Sequence, residues 1–222
     1  MKILDLVSFP DMVKAARLLH LSGEKIQELA EQVALLVRPR ALVREVFIEE
    51  RSAVSIRMSG IEFHSRVLSK NLRNVQKVFP FILTIGEDLE KTAAAVQDLL
   101  RQYQLETMGD LVLEAAGVEL EDYLKNLGPS KVASMSPGSL DDWPISEQPK
   151  IFALLDGGAP VGVSLSESML MIPRKSISGI YFPTKIDFNS CRLCPRTDCT
   201  GRRAAYDPAL RKVFGLEKPT LR

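Results

Sequence analysis

A chain of 222 residues with 45% hydrophobic content can bury a proper core, as one large domain or two small ones. Lys+Arg 29 against Asp+Glu 28 leaves a net charge of +1, so no whole-molecule field exists to hold nucleic acid or an anionic membrane. Both partners are disfavoured.

The opening "MKILDLVSFPDMVK" has neither an apolar signal core nor a small-residue cleavage site. The longest apolar runs, such as "VALLV" and "SMLMIP", are far shorter than the roughly eighteen residues of a membrane span, so a cytoplasmic protein is expected. Residues 8–40 read as two helices, the second opened by Ser22 and carrying Ile26, Leu29, Ala30, Val33, Ala34 and Val37 at helical spacing before Pro39 stops it. "REVFIEERSAVSIRM" sets β-branched and aromatic residues on either side of a charged turn, which predicts a hairpin from Val46 to Met58. "SRVLSKNLRNV" reads as helix, and "VFPFILTIG" as a buried strand ended by Gly86.

"EDLEKTAAAVQDLLRQY" has the period of one amphipathic helix. A second helix, "LETMGDLVLEAAGVELEDYLKNLG", follows with Leu111, Ala115, Val118 and Tyr123 near one face and Gly128 as its cap. From Pro129 onward, prolines at 129, 137, 144, 149, 160, 173 and 183 divide short strands and one short helix capped by Ser146. Helices and strands in irregular order, with hairpin signals, predict an α+β fold around an antiparallel sheet. The expected organisation is one domain spanning 1–222, with a cysteine-bearing tail at about 189–222.

All three cysteines fall in "NSCRLCPRTDCTGRR". An odd number of thiols in a reducing compartment argues against a disulfide framework. Cys191, Cys194 and Cys199, spaced C-x2-C-x4-C, are three soft ligands on a tight loop, suited to an iron-sulfur cluster or zinc, with Asp198, a water, a substrate or a partner side chain as the fourth. Plain reduced thiols explain them equally well, and a Cys191–Cys194 redox pair less well. Arg192, Arg196, Arg202 and Arg203 are expected to lower the thiol pKa values and offset cluster charge. His20 and His64 have no visible partner. Asp141 and Asp142 read as solvated turn acids.

Residues 134–183 carry a family resemblance. "PG" at Pro137 and Gly138, "LL" at Leu154 and Leu155, "LSES" at Leu165 to Ser168 and "SISGIYF" at Ser176 to Phe182 keep a particular order and spacing. The combination resembles the activation domain of cobalamin-dependent methionine synthase, with its "RxxPGYP" loop and "GxxLTESxxMxPxxSVSGxYF" block. The resemblance implies a twisted antiparallel sheet flanked by helices. It also implies reactivation of a corrinoid methyltransferase partner by reductive methylation of cob(II)alamin, with S-adenosylmethionine as methyl donor and a reductant such as flavodoxin or ferredoxin. The cobalamin is carried by the partner, and capture of Co(I) by methylation draws an uphill reduction forward.

Transferred residue by residue, the implied ligand-binding set is Ser134, Ser136, Pro137, Gly138, Ser139, Glu167, Tyr181 and Asn189. Three positions depart from the family pattern. Ser134 replaces the arginine expected to hold the ligand carboxylate, Ser139 replaces a loop tyrosine, and Asn189 falls where a downstream tyrosine is expected. Serine lacks arginine's bidentate charged contact. The rival reading is therefore a non-methylating accessory protein that docks a corrinoid protein and uses the cysteine loop for electron transfer or a structural metal. Two residues carry packing alternatives: Glu167 as a hydrogen-bonding member of its loop, and Tyr181 as ordinary sheet packing.

Overall fold

The computed structural model describes residues 1–128, 131–186, 188–196, 198–199 and 201–216. Pro129, expected to open the loop-rich half, and residues 217–222 of the expected tail lie outside them. In chain order the elements are β1 (Lys2–Asp5), α1 (Met12–Leu19), α2 (Glu24–Leu36), β2 (Arg40–Val43), β3 (Val46–Arg51), β4 (Ser55–Met58) and β5 (Ile61–His64). There follow α3 (Arg66–Asn71), β6 (Lys77–Thr84), α4 (Asp88–Ala95), α5 (Leu99–Lys125), β7 (Val132–Met135) and α6 (Gln148–Ala153). The last are β8 (Ser164–Leu165), β9 (Met171–Ile172), β10 (Ser176–Pro183) and α7 (Pro208–Val213). Helices with antiparallel strand pairs are the α+β class expected. No helix among the described residues is long and apolar enough to cross a membrane.

The chain divides into two compact units, each assembled from separated segments, and β6 and β10 supply residues to both. The first unit holds residues 1–43, 82–126 and 156–177. Its core is helical: Leu29 and Val33 of α2, Leu89 and Ala93 of α4, and Leu105, Met108 and Val112 of α5 are almost wholly excluded from water. β1 pairs antiparallel with β2, Ile3 opposite Leu42, and β2 is followed in strand order by β6. At the start of β10, Arg174 bonds Glu90 at 2.6 Å and Glu106 at 3.0 Å, while Lys175 reaches Glu106 at 2.9 Å and Asp110 at 2.5 Å. These four contacts bind the strand entry to α4 and α5. Gly109 makes the helix approach possible, since a Cβ there would sit 2.7 Å from Leu89 Cδ2.

The second unit holds 44–81, 127–155 and 178–222. Its strands run in the order β6-β3-β4-β5, and β10 pairs with both β6 and β7. The predicted hairpin is β3 with β4, irregular in register between Ile48 and Glu50, and β5 extends it. Aromatic rings fill its core: Phe63 meets Trp143 edge-on at 6.5 Å, and Phe188 joins Phe182 at 6.1 Å to Phe214 at 5.8 Å.

Several boundaries differ from expectation. Gly23, not Ser22, precedes α2, without a side-chain cap, and Ala34 is exposed. The helix predicted from residue 87 breaks at Val96, which is extended (φ −78°, ψ 128°). Asp98 then caps a new helix by accepting from the amides of Leu100 (2.9 Å) and Arg101 (3.4 Å). That helix, α5, runs 27 residues without interruption and absorbs the second predicted one. Its buried face includes Leu105, Met108, Val112, Ala116, Leu120 and Leu124; of the predicted face Leu111 is buried, whereas Val118 is exposed, so the face is rotated from the one expected. The cap position of α5 is Asn126, two residues before Gly128, and Glu147 rather than Ser146 precedes α6.

Candidate functional site

The turn at Pro137 and Gly138 follows β7 directly, and β7 lies antiparallel to β10 with Met135 opposite Ile180, Ser134 opposite Tyr181 and Ala133 opposite Phe182. The two halves of the family motif are therefore neighbours in one sheet. Gly179 makes their approach possible. A Cβ on it would overlap the Met135 carbonyl oxygen and lie 2.7 Å from Ser136 Oγ.

The turn is closed by its own bonds. Ser136 O accepts from both Ser139 N (3.1 Å) and Ser139 Oγ (2.6 Å), and Gly138 N donates to Trp143 O at 2.7 Å. Gly138 has φ 82°, a conformation that L side chains resist. Leu140 and Trp143 form a bridge, with Trp143 and Pro137 buried beneath the exposed Gly138. Asp142, far from being solvated, accepts from Ser65 Oγ (2.5 Å) and from Val67 N (2.9 Å), which fastens the loop to the start of α3. Glu147, 8% exposed, accepts from His64 N (3.0 Å) and from Lys150 Nζ (2.5 Å). Sequence reasoning missed both acids, because all but one of these partners are more than seventy residues away; the exception is Lys150, three residues from Glu147.

The predicted residues fall into two groups. Ser134, Ser136, Pro137, Gly138, Ser139, Tyr181 and Asn189 belong to the second unit, together with the cysteines. Tyr181 is 6% exposed and its ring lies 4.6 Å from that of Phe81, the packing position its strand alternation also allowed. Asn189 Oδ1 accepts from Cys191 N at 2.9 Å and so caps a short 3-10 turn. Glu167 belongs to the first unit, at the exposed tip of the β8–β9 hairpin. There Ser166 Oγ lies 3.0 Å from Ser168 Oγ and accepts from Leu170 N.

The cysteine loop is built around arginines in a way the spacing did not reveal. Arg202 donates to the carbonyls of Cys191 (3.0 Å), Cys194 (3.1 Å) and Ala204 (3.0 Å), and also to that of Arg196. Arg192 pairs with Asp207 at 2.8 Å, and Arg211 donates to Leu193 O at 2.7 Å. Bonds from the Leu210 amide and then from Arg192 hold the Asp207 carboxyl below its ordinary range. Arg202 thus gathers backbone oxygens, where the sequence suggested a charge set against thiols. Cys191 and Cys194 are half-buried and Cys199 exposed, and no group of three His, Cys, Asp or Glu side chains among the described residues is arranged to hold a metal.

Residues 137–188 match the family model for the vitamin B12 dependent methionine synthase activation domain. No curated protein matches the chain. Among solved structures, the MetH reactivation domain bound to AdoHcy is similar at 19% identity with a TM-score of 0.63, covering 80% of this chain and 68% of that one. The resemblance read from residues 134–183 is borne out by the family match and by the shared fold, a mixed arrangement of helices and antiparallel sheet.

Proposed function

We propose that this chain docks a separate protein carrying a corrinoid and assists the return of its cobalt to the active oxidation state. The observation that carries the reading is the joined β7–turn–β10 piece: β7 pairs with β10, Met135 and Ser136 pack against Gly179, and the turn at Pro137 and Gly138, where the family match of 137–188 begins, follows β7 directly. A flavodoxin or ferredoxin is the class of reductant the reading calls for. Preorganised backbone at such an edge, and not a side-chain acid or base, is what presentation to a bulky cofactor on another protein needs.

S-adenosylmethionine does not fit the residues present in the manner the resemblance implies. Ser134 offers no charged fork for a carboxylate, Ser139 Oγ is committed to Ser136 O, Tyr181 is packed on Phe81, and Asn189 caps Cys191. The accessory reading is accordingly preferred, and the cysteine loop is its candidate for an iron-sulfur cluster or zinc, for which the three thiols would have to converge.

One observation favours the methylating alternative: the structurally similar domain binds AdoHcy, which is the methyl donor after its methyl has left. Calorimetry decides between them. No heat of binding from S-adenosylmethionine, with a cob(II)alamin-loaded corrinoid domain also present, is the expected result, and saturable binding reinstates reductive methylation. Docking itself is tested by titrating the chain into that corrinoid domain and following the cobalamin absorbance. A change saturating at one equivalent is expected, whereas no change and no co-elution overturn the proposal. Metal analysis of anaerobically purified protein tests the cysteine loop, and a metal-free sample that still reactivates its partner removes the cluster.

A further inference from the structure

Within the second unit lies a cavity of about 820 Å³ whose lining includes neither the turn at Pro137 and Gly138 nor any of the three cysteines. Its walls are the end of α3 and the segment from it to the start of β6, Lys131 before β7, residues 183–186 at and beyond the end of β10, and α7 with Phe214. Five cations line it, Lys70, Arg73, Lys77, Lys131 and Lys185, and no described lining residue is an acid. In a chain with 29 basic and 28 acidic residues, such one-sidedness is a local arrangement and not a reflection of composition.

Two of the cations have partners: Lys77 bonds Glu45 at 2.8 Å, and Lys70 donates to Val213 O with its amine 5.3 Å from the Phe214 ring centre. For Arg73, Lys131 and Lys185 no side-chain partner occurs among the described residues. Like charges collected on a concave wall repel one another and raise the local concentration of anions. Val75, Ile186, Leu210, Val213 and Phe214 give the lining an apolar stretch, while Asn71, Asn74 and Gln76 supply amides and Thr184 a hydroxyl. A bare inorganic anion would leave that apolar wall wet. The volume lies within the ~300–1,000 Å³ usual for sites that enclose a small organic ligand.

We infer that this cavity binds a phosphate ester with a flat, partly apolar body, of the nucleoside diphosphate class. The phosphates would lie against Arg73, Lys131 and Lys185, Arg73 being the group able to grip two phosphate oxygens at once. The ring system would cover Phe214 and its aliphatic neighbours. Arg73, Lys131 and Lys185 lie outside the β7–turn–β10 piece, so loss of nucleotide binding and loss of corrinoid docking are read separately.

Calorimetry on the full chain at low ionic strength, with ADP, adenosine and pyrophosphate as separate probes, tests it. ADP should bind at one saturable site and weaken as salt rises, with adenosine and pyrophosphate each at least ~10-fold weaker. The Arg73→Ala, Lys131→Ala, Lys185→Ala triple variant should lose at least ~30-fold in ADP affinity. Because these side chains are exposed, its thermal midpoint should match that of the parent. No saturable ADP binding at low millimolar concentration overturns the inference, as does ADP affinity unchanged in the triple variant. Pyrophosphate binding as tightly as ADP overturns the assignment to a nucleoside ligand.

Discussion

Gly179 and Arg202 each hold a piece of the candidate region together, and each does so through backbone. Any side chain on Gly179 meets the Met135 carbonyl, which cannot swing aside because Met135 is held in register opposite Ile180. Gly179→Ala should therefore destabilise the protein by about 1–3 kcal/mol, the range for overpacking a tight site, read as a shift of the denaturant midpoint with unchanged slope. Arg202 gathers four loop carbonyls, so Arg202→Ala leaves oxygens without donors and should loosen residues 191–204, seen as faster amide exchange there. If arginine alone organises the loop, a chelator will leave its exchange pattern unchanged. A pattern that collapses on chelation assigns the organising role to a metal.

The elements legible in the sequence were those defined by local pattern. The β3–β4 hairpin, the buried β6 strand and the helical content of residues 12–36 depend on alternation and periodicity alone, and they fold where expected. The break at Val96 was hidden, because "AAAVQDLL" keeps an apolar period while Asp98 competes as a cap for the next helix. Asp98→Ala should cost about 1 kcal/mol, measured as lost thermal stability. The clasp at Arg174 and Lys175 was equally illegible, since its acids lie 65 to 84 residues earlier on two helices. Burial pushes the Glu106 carboxyl up, but the Lys175 bond and the Lys175 and Arg174 charges outweigh it and hold it below its usual 4.5. A carboxyl more acidic in the folded chain stabilises above the ordinary glutamate range, and that contribution is lost as pH falls through the folded value. Glu106→Gln should cost about 1 kcal/mol or less at neutral pH, with solvent screening part of it, and the difference from the parent should vanish in acid.

At the scale of the whole chain, each unit is assembled from three separated segments, with crossings after residues 43, 81, 126, 155 and 177. No contiguous fragment contains either unit alone. A fragment 44–155 carries β3, β4 and β5 but lacks the β10 strand that joins β6 to β7. It should show no cooperative unfolding transition by circular dichroism, and a sharp transition would mean that β10 is dispensable. The candidate site is divided in the same manner: the motif spacing was legible, while the arginine scaffold of the cysteine loop arises from residues that only the folded chain brings together.

The chain has a single tryptophan, and it closes the motif turn: Trp143 is fully buried and its carbonyl receives the Gly138 amide. Excited at its own wavelength, the unlabelled protein therefore carries one indole emitter beneath the proposed docking edge. Its colour and intensity should respond when a partner presses on Gly138, so an engagement can be watched in a cuvette without attaching a dye.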